Sequence, residues 1–197
     1  MLNSPTLILA SSSPRRRQLL TQVGLEFTVE PPDVEEIQRE GEAPVDFVRR
    51  LSLEKANAVA ANHESGLVLG SDTIVVLGGE ILGKPESAED AFAMLSQLSG
   101  NQHTVYTGFS IVDASTGESI TDLGEAEVTF RELEESEIWD YIATGSPMDK
   151  AGSYGIQDDM GAIFVERING DYYTVVGLPL MKVYLALRSQ RETNLHL

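Results

Sequence analysis

Apolar residues recur along this chain with two different spacings, and the two spacings alternate. Short apolar and β-branched runs predict buried strands, whereas apolar residues three or four positions apart predict amphipathic helices. The runs predict strands at 6–10, 26–30, 67–69, 73–77, 80–82, 103–112, 120–130, 163–168 and 172–176. The wider spacing predicts helices at 14–23, 44–62, 87–98, 134–144 and 179–189. Strands alternating with helices indicate an α/β or α+β fold with a mixed twisted sheet and flanking helices.

Capping and turn residues mark the ends of these elements. Ser13 and Pro14 suit the N-cap and the first position of a helix. Gly78–Gly79 predicts a two-residue hairpin turn, and Asn169–Gly170 predicts a second hairpin that joins the last two strands. No linker or internal repeat interrupts the pattern. We therefore expect residues 1–197 to form a single domain with two lobes around a central cleft.

Three consecutive arginines, Arg15 to Arg17, occupy the first turn of the first predicted helix. A helix N-terminus carries partial positive charge, so cations there are unfavourable unless an anion lies against them. The helical phase turns Arg15 and Arg16 toward the side that carries Leu19 and Leu20, whereas Arg17 faces solvent. Two inward cations that follow three serines predict an anion site. The alternative is an exposed basic turn paired with acidic residues.

The helix predicted at 44–62 carries a lysine in its apolar stripe. The stripe includes Val48, Leu51, Ala58 and Val59, and the same periodicity places Lys55 among them. A lysine at such a position either extends its ammonium out of the core or holds it at the edge of a cleft, within reach of a ligand. Both interpretations stay open from the sequence.

Asp72 interrupts a run of apolar and β-branched residues in the segment GSDTIVV. Charged side chains are disfavoured inside strands, and an aspartate at the end of a strand is held rigidly enough to act as a general base or a metal ligand. A turn aspartate is the alternative. Lys84, in the segment GKP, is a further candidate cation.

The segment DKAGSYGIQ, at 149–157, is neither helical nor continuously apolar. Its two glycines and its polar residues indicate a loop that recognises a substrate. Gln157 is able both to donate and to accept hydrogen bonds at the edge of a nucleotide base. An ordinary surface loop is the alternative.

The charge balance narrows the choice of ligand. The chain has 14 basic and 31 acidic residues, which argues against nucleic acid as a partner because a phosphate backbone requires a basic face. A small anion stays compatible, since half of the basic residues lie between Arg15 and Lys55. The absence of cysteine excludes disulfides and thiolate catalysis. No segment has the length of a membrane span or of a signal peptide, so we expect no membrane partner and a cytoplasmic location.

Together these segments resemble the motifs of one known family. The motif order of the Maf family of nucleoside triphosphate pyrophosphatases is found here in LASSSPRRRQLL, VEE at 34–36, EKA at 54–56, GSDTIVV, GKP, DKAGSYGIQ and INGDYYTVVGLPL. The resemblance implies a mixed α/β fold of two lobes with a cleft between them. It also implies hydrolysis of a nucleoside triphosphate to the monophosphate and pyrophosphate, with Mg²⁺ or Mn²⁺ as cofactor.

The resemblance also implies roles for individual residues. Asp72 matches the proposed catalytic carboxylate of the family, and Glu36 and Asp72 are the candidate ligands of the divalent cation. The residues implied to bind the substrate or to set its choice are Ser11, Arg15, Arg16, Lys55, Thr73, Lys84 and Gln157. Whether Asp72 is the base, a metal ligand or both stays open. The last two motifs resemble the subgroup that acts on dTTP and UTP and is thought to remove modified pyrimidine triphosphates.

Two alternatives to a pyrophosphatase that acts on dTTP and UTP stay open. One is a nucleotide-binding regulator of cell division, because members of the family have been linked to arrest of septum formation. Asp72 argues for an enzyme, since a protein that only binds a triphosphate gains nothing from a carboxylate there. The other alternative is a purine triphosphate pyrophosphatase of the inosine type, which shares a broadly similar architecture. A homodimer is expected only by analogy with the family.

Overall fold

The computed structural model describes residues 6–157 and 160–194. Within these residues the strands are Leu7–Ala10 (β1), Thr28–Val29 (β2), Leu67–Leu77 (β3), Glu80–Leu82 (β4), Gln102–Asp113 (β5), Ser119–Phe130 (β6) and Val165–Gly170 (β7). The helices are Pro14–Gln22 (α1), Pro44–Ala60 (α2), Ala88–Leu98 (α3), Glu135–Ala143 (α4), Gly161–Phe164 (α5), Tyr172–Val176 (α6) and Leu180–Asn194 (α7). Short 3-10 turns lie at Ser146–Asp149 and Ala151–Ser153. Across these two described ranges, no helix combines the length and the apolar character that crossing a membrane requires.

The strands that the structure describes form one mixed sheet in the order β2-β1-β3-β5-β6-β7, and β4 pairs with β3 outside this path. β1 is parallel to both β2 and β3. Parallel neighbours need a crossover connection, and α1 supplies one between β1 and β2. β4 is antiparallel to β3, and β7 is antiparallel to β6. The predicted α/β fold with a mixed sheet and flanking helices is confirmed.

The chain divides into two compact units. The first unit comprises Met1–Asp72, Thr107–Gly124 and Gly177–Leu197, and the second comprises Thr73–Tyr106 and Glu125–Val176, in each case as far as the structure describes them. Three of the boundaries between these segments lie within β3, β5 and β6. The single domain expected over residues 1–197, with two lobes around a cleft, stays a prediction, and its range extends beyond the described residues.

The core of the first unit forms where α2 packs against the strands. β1 is buried along its whole length, as is usual for a parallel strand with a neighbour on each side. Ile8 of β1, Val68 of β3 and Val112 of β5 are buried in one cluster with residues near the C-terminal end of α2. The buried residues of α2 are Phe47, Val48, Leu51, Ser52, Lys55, Ala56, Val59 and Ala60. The apolar stripe predicted for this helix, with the lysine inside it, is confirmed except at Ala58, which is only half-buried.

Two glycines allow α2 to approach the strands closely. A Cβ atom on Gly70 of β3 would lie 2.6 Å from the amide nitrogen of Ala56. A Cβ atom on Gly108 of β5 would lie 2.5 Å from the carbonyl oxygen of Val48. Both distances are much shorter than van der Waals contact, so the backbone of α2 rests directly on the backbones of two strands. The spacing between α2 and these two strands therefore leaves no room for a side chain at either glycine.

Aromatic residues form the core of the second unit. Phe130 of β6, Tyr141 of α4 and Phe164 of α5 are almost completely buried. The ring of Phe164 meets those of Tyr141 and Phe130 edge to face, with centroids 5.3 and 6.1 Å apart. Phe130 also contacts the rings of His103 and Tyr154, at 5.1 and 4.7 Å. This cluster joins two strands, two helices and the loop that carries Tyr154.

The hairpin predicted across Asn169–Gly170 is wrong. β7 ends at Gly170 and pairs with β6, but the chain then forms the short helix α6 instead of a strand. Asp171 favours this helix, because its Oδ2 accepts hydrogen bonds from the amide and the hydroxyl of Thr174, at 2.9 and 2.8 Å. Gly170 serves close strand packing instead of a turn, since a Cβ atom there would lie 2.8 Å from Cα of Ala126 on β6.

Other element boundaries differ from the predictions by smaller amounts. The strands predicted at 67–69 and 73–77 are one continuous strand, so Asp72 lies within β3 and not at the end of a strand. The strand predicted at 26–30 is reduced to the two residues of β2. The first residues of the strand predicted at 163–168 belong to α5. The Gly78–Gly79 hairpin between β3 and β4 is confirmed.

We expect Gly70→Ala to lower the free energy of unfolding by about 2 to 3 kcal/mol, because the new methyl group must displace the backbone of α2. Gly83→Ala is the matched control, since a Cβ atom there meets no heavy atom within 4 Å. Its effect should stay within about 0.5 kcal/mol. Urea denaturation followed by circular dichroism measures both changes, and equal stability of the two variants would contradict the close packing at Gly70.

Candidate active site

The N-terminus of α1 turns two of the three arginines inward, as predicted. Arg15 and Arg16 are half-buried, whereas Arg17 is exposed. Ser13 is the N-cap, and its Oγ accepts a hydrogen bond from the amide of Arg16 at 3.5 Å. Pro14 occupies the first helical position, where its fixed φ favours the helix. Ser13 and Pro14 fix where the helix begins. The helix therefore turns Arg15 and Arg16 inward and Arg17 toward solvent.

Arg16 is held by the backbone of a distant segment. Its Nε donates to the carbonyl oxygen of Gly177 at 2.9 Å, and its Nη1 donates to Oγ of Ser11 at 3.1 Å. Ser11 is buried, and its Oγ also accepts a hydrogen bond from the amide of Ser13 at 3.2 Å. These contacts fix the orientation of the guanidinium. The part played by Gly177 could not be found from the sequence, because every residue type has a carbonyl oxygen.

Lys55 is buried and joins two carboxylates. Its Nζ donates to Oε1 of Glu36 and to Oδ1 of Asp72, both at 2.6 Å. The side chains of Lys55 and Asp72 are 7% and 9% exposed, whereas that of Glu36 is 43% exposed. The interpretation in which the lysine extends its ammonium into solvent is therefore wrong. The three predicted residues form one charged group that is open to solvent at Glu36.

The contact between α2 and β3 brings these charges together. Ala56 packs on Gly70, and side chains two residues apart on a strand lie on the same face. Asp72 therefore points to the side of β3 on which α2 lies. Lys55 precedes Ala56 in α2, which places its ammonium at Asp72. Glu36 reaches the same ammonium from the irregular segment between β2 and α2.

Burial and charge act on Arg16 in opposite directions. Burial lowers the pKa of its guanidinium, because the loss of water disfavours the charged form. Asp72 and Glu36 raise this pKa, whereas Arg15 lowers it. An arginine stays charged in proteins even so. Arg16 and Lys55 thus lie close to the two carboxylates, and Arg15 lies close to Arg16. The five side chains together carry one more positive than negative charge, which favours a polyanion.

The carboxylates of Glu36 and Asp72 suit a hard divalent cation. Among the residues that the structure describes, no group of three or more Asp, Glu, His or Cys side chains is placed to hold a metal ion. Mg²⁺ does not need such a group, because it is usually bound by one or two carboxylates together with water and substrate phosphates. The donor set of Glu36 and Asp72 therefore fits an ion of this kind.

Three other predicted substrate-binding residues belong to the second unit. Thr73 lies on β3 and is half-buried, whereas Lys84, after β4, and Gln157 are exposed. The amide of Gly152 donates a hydrogen bond to the carbonyl oxygen of Gly83 at 3.0 Å. This bond ties the loop at 150–157, which carries Gln157, to the residue before Lys84.

Comparison with known proteins agrees with the motifs. Residues 6–190 match the family model described as Maf-like protein. The chain belongs to the Maf family. The dTTP/UTP pyrophosphatase of Thermotoga petrophila is 54% identical over 90% of this chain and 86% of that protein. The dTTP/UTP pyrophosphatases of Photorhabdus laumondii and Syntrophomonas wolfei are 49% and 47% identical, over 91% and 95% of this chain and 91% and 98% of those proteins. The family resemblance is confirmed, while the roles of individual residues in this Maf protein stay predictions.

Arg16→Ala and Arg17→Ala should differ in their effect on the turnover of a nucleoside triphosphate. We expect Arg16→Ala to lower kcat/KM by about 10- to 100-fold, because a charged and oriented hydrogen-bond donor is lost. Arg17→Ala removes an exposed side chain of the same type and should change kcat/KM by less than about twofold. Steady-state kinetics of the two variants, with urea denaturation to compare their stability, provides the measurement. Similar losses of kcat/KM in both would contradict a special role for the inward-facing arginine.

Proposed function

We propose that this protein is a nucleoside triphosphate pyrophosphatase that hydrolyses dTTP and UTP, and modified pyrimidine triphosphates, to the monophosphate and pyrophosphate. The observation that carries the proposal is the cluster in which Arg16 and Lys55 lie beside the carboxylates of Glu36 and Asp72, with Arg15 close to Arg16. A cluster of this composition suits a polyanion that arrives with a divalent cation. The substrates are supported by the relatives named dTTP/UTP pyrophosphatase, which are 47% to 54% identical to this chain. Such an enzyme would clear the nucleotide pool of unwanted triphosphates.

The arginines are proposed to bind and orient the triphosphate. A guanidinium forms paired hydrogen bonds with phosphate oxygens. The partial positive charge at the start of α1 also favours an anion there. Ser11 and the carbonyl oxygen of Gly177 orient Arg16 for this purpose. Lys84 contributes a further positive charge from the segment GKP. Donors that are oriented in advance stabilise the charge that develops on the phosphates during reaction.

Asp72 is the proposed proton acceptor. A water molecule attacks the α-phosphorus, and a bond forms between that phosphorus and the water oxygen. The bond from the α-phosphorus to the oxygen that bridges to the β-phosphorus breaks, so pyrophosphate leaves with the bridging oxygen. The proton of the attacking water passes to a carboxylate oxygen of Asp72. The contact with Lys55 at 2.6 Å fixes the orientation of this carboxylate.

Glu36 and Asp72 would hold Mg²⁺ or Mn²⁺. When bound, such an ion supplies positive charge at the phosphate oxygens. Lys55 contacts both carboxylates and offsets their negative charge in the free protein. Two carboxylates so close together would otherwise repel each other.

Gln157 and Thr73 are proposed to select the base. Gln157 is exposed at the end of its loop and carries both a donor and an acceptor, which suits the edge of a pyrimidine. A site that forms hydrogen bonds to a substrate group discriminates strongly against analogues that lack the matching group. A homodimeric state and a cytoplasmic location also stay predictions.

Pyrophosphate release from dTTP, UTP, CTP, GTP and ITP, each with Mg²⁺, with Mn²⁺ and with EDTA, tests the proposed function. We expect kcat/KM for dTTP and UTP to exceed that for the other nucleotides by about tenfold or more, and no release in EDTA. A preference for ITP or GTP would contradict the pyrimidine assignment and favour the purine type. Binding without release of pyrophosphate from any nucleotide would favour the regulator of cell division.

Asp72→Asn should lower kcat by a factor on the order of 100 or more, because the asparagine cannot accept the proton. Lys55 keeps its contact with Glu36 in this variant, so we expect the fold to be retained. Asp113→Asn is the matched control, since Asp113 is also buried in the first unit, where its Oδ1 accepts hydrogen bonds from Ser115 in a turn. Turnover at a near-normal rate by Asp72→Asn would disprove the role of Asp72 as proton acceptor.

A further inference from the structure

We propose that His103 and Tyr141 are positioning residues that hold the 150–157 loop through Tyr154 and Gly155 and thereby fix the orientation of the Gln157 amide toward the base. This inference rests on the proposed role of Gln157 in base selection. All the residues concerned belong to the second unit.

The backbone of the loop has a conformation that its surroundings impose. Gly152 and Ser153 both have positive φ, 67° and 60°, and this conformation is unfavourable for serine. Ser153 Oγ donates to Sδ of Met94 on α3, with a separation of 3.2 Å. A Cβ atom on Gly152 would lie 2.9 Å from a methyl group of Val75 on β3. An unfavourable backbone of this kind persists only where neighbouring contacts determine it, so the loop is held from several elements.

His103 anchors the residue that follows this strained pair. Nε2 of His103 and Oη of Tyr154 are hydrogen-bonded at 2.8 Å. The two residues are only 2% and 6% exposed, and their rings meet edge to face with centroids 5.4 Å apart. His103 lies on β5, whose backbone is held by neighbouring strands. The hydrogen bond therefore fixes Tyr154 against a rigid part of the unit.

Tyr141 anchors the next residue along the loop. Its Oη accepts a hydrogen bond from the amide of Gly155 at 3.1 Å. Gly161 of α5 packs so closely on this contact that a Cβ atom there would lie 3.0 Å from Oη of Tyr141 and would meet the carbonyl oxygen of Gly155. Tyr154 and Gly155 are thus held by side chains from β5 and α4 and by the backbone of α5.

The effect of the two anchors reaches Gln157 through the chain. Residues 152–156 are all buried, and Gln157 is the first exposed residue after them. Only Ile156, which is also buried, separates Gln157 from the anchored Gly155. The backbone direction at which the Gln157 side chain leaves the loop is therefore set by the two hydrogen bonds.

Base selection by a glutamine requires that its amide be held in one orientation. The amide has an oxygen that accepts and a nitrogen that donates, and rotation by half a turn exchanges the two. Thymine and uracil present a carbonyl acceptor where cytosine presents an amino donor. A glutamine that rotates freely would serve all three bases. Selection of dTTP and UTP over cytosine nucleotides therefore depends on the loop that carries Gln157.

Packing alone does not account for a histidine at position 103. Nδ1 of His103 has no hydrogen-bond partner among the residues that the structure describes. Burial lowers the pKa of His103 to about 4, so the imidazole is neutral near pH 7. A phenylalanine would fill similar space without burying an unsatisfied polar atom. What the imidazole adds is its hydrogen bond to Tyr154.

The double variant His103→Phe/Tyr154→Phe tests the inference. Replacing both partners of a buried hydrogen bond by apolar groups of similar shape is nearly neutral for stability, so we expect little change in the urea midpoint of unfolding. The ratio of kcat/KM for dTTP to kcat/KM for dCTP should fall about tenfold or more, since a misplacement of about 1 Å has effects of this size. Ile138→Val, a buried change in α4, is the control and should leave the ratio unchanged. An unchanged ratio in the double variant would overturn the inference.

The same substitutions in a Gln157→Ala background show whether His103 and Tyr154 act through Gln157 or whether their replacement disturbs the enzyme in general. Gln157→Ala alone should lower the ratio about tenfold or more. His103→Phe/Tyr154→Phe should then have no further effect on the ratio, because residues that act through Gln157 cannot act in its absence. A further fall in the Gln157→Ala background would overturn the inference.

Hydrogen exchange of the amides from Ala151 to Gln157 distinguishes failure of this inference from failure of the proposed function. Faster exchange in the double phenylalanine variant, but not in Ile138→Val, supports the anchoring of the loop, whereas equal exchange overturns it. If exchange is faster but Gln157→Ala leaves the ratio unchanged, base selection by Gln157 is wrong. The part of the inference that concerns Gln157 then falls with it.

Discussion

The candidate site depends on the close contact between α2 and β3 at Gly70. A buried carboxylate is unfavourable unless a cation lies against it, and Asp72 stands in the middle of a buried strand. Because the backbone of α2 rests on Gly70, Lys55 comes within 2.6 Å of Asp72 and of Glu36. A larger residue at position 70 would move the helix and leave the carboxylate without its partner. The charge in the site therefore depends on the packing of α2 at Gly70, and the similar close approach at Gly108 supports the same packing.

The parts of the site that depend on helical phase were predictable from the sequence. The spacing of apolar residues placed Arg15 and Arg16 inward and Lys55 in a buried stripe, and the structure agrees. The ion pairs of Lys55 were not predictable. They join residues 17 and 19 positions apart in the sequence, through the packing of a helix on a strand. Gly70 permits this packing, but nothing in the sequence indicates that a helix contacts it.

The errors and omissions arose where distant contacts override local preference. Asn169–Gly170 favours a tight turn when considered alone, but pairing with β6 uses Gly170 for close approach, and Asp171 begins a helix. The composition of the segment at 149–157 predicted a loop but not the contacts that hold it. Its anchors, His103 and Tyr141, lie 51 and 14 positions from their partners, and each resembles an ordinary core residue in the sequence.

Recognition of phosphate and recognition of a base place different demands on a protein. Attraction between charges falls slowly with distance and depends little on angle, so the attraction of a triphosphate to the cluster tolerates small displacements, although the paired hydrogen bonds of Arg16 do not. The local field of such a group also acts within a molecule whose total charge is −17. A hydrogen bond that reads a base depends steeply on direction. The charged cluster of the first unit meets the former demand with ion pairs. The loop of the second unit meets the demand of base recognition with neutral hydrogen bonds and close backbone packing. These contacts restrict the orientation of the loop more strictly than an attraction between charges would.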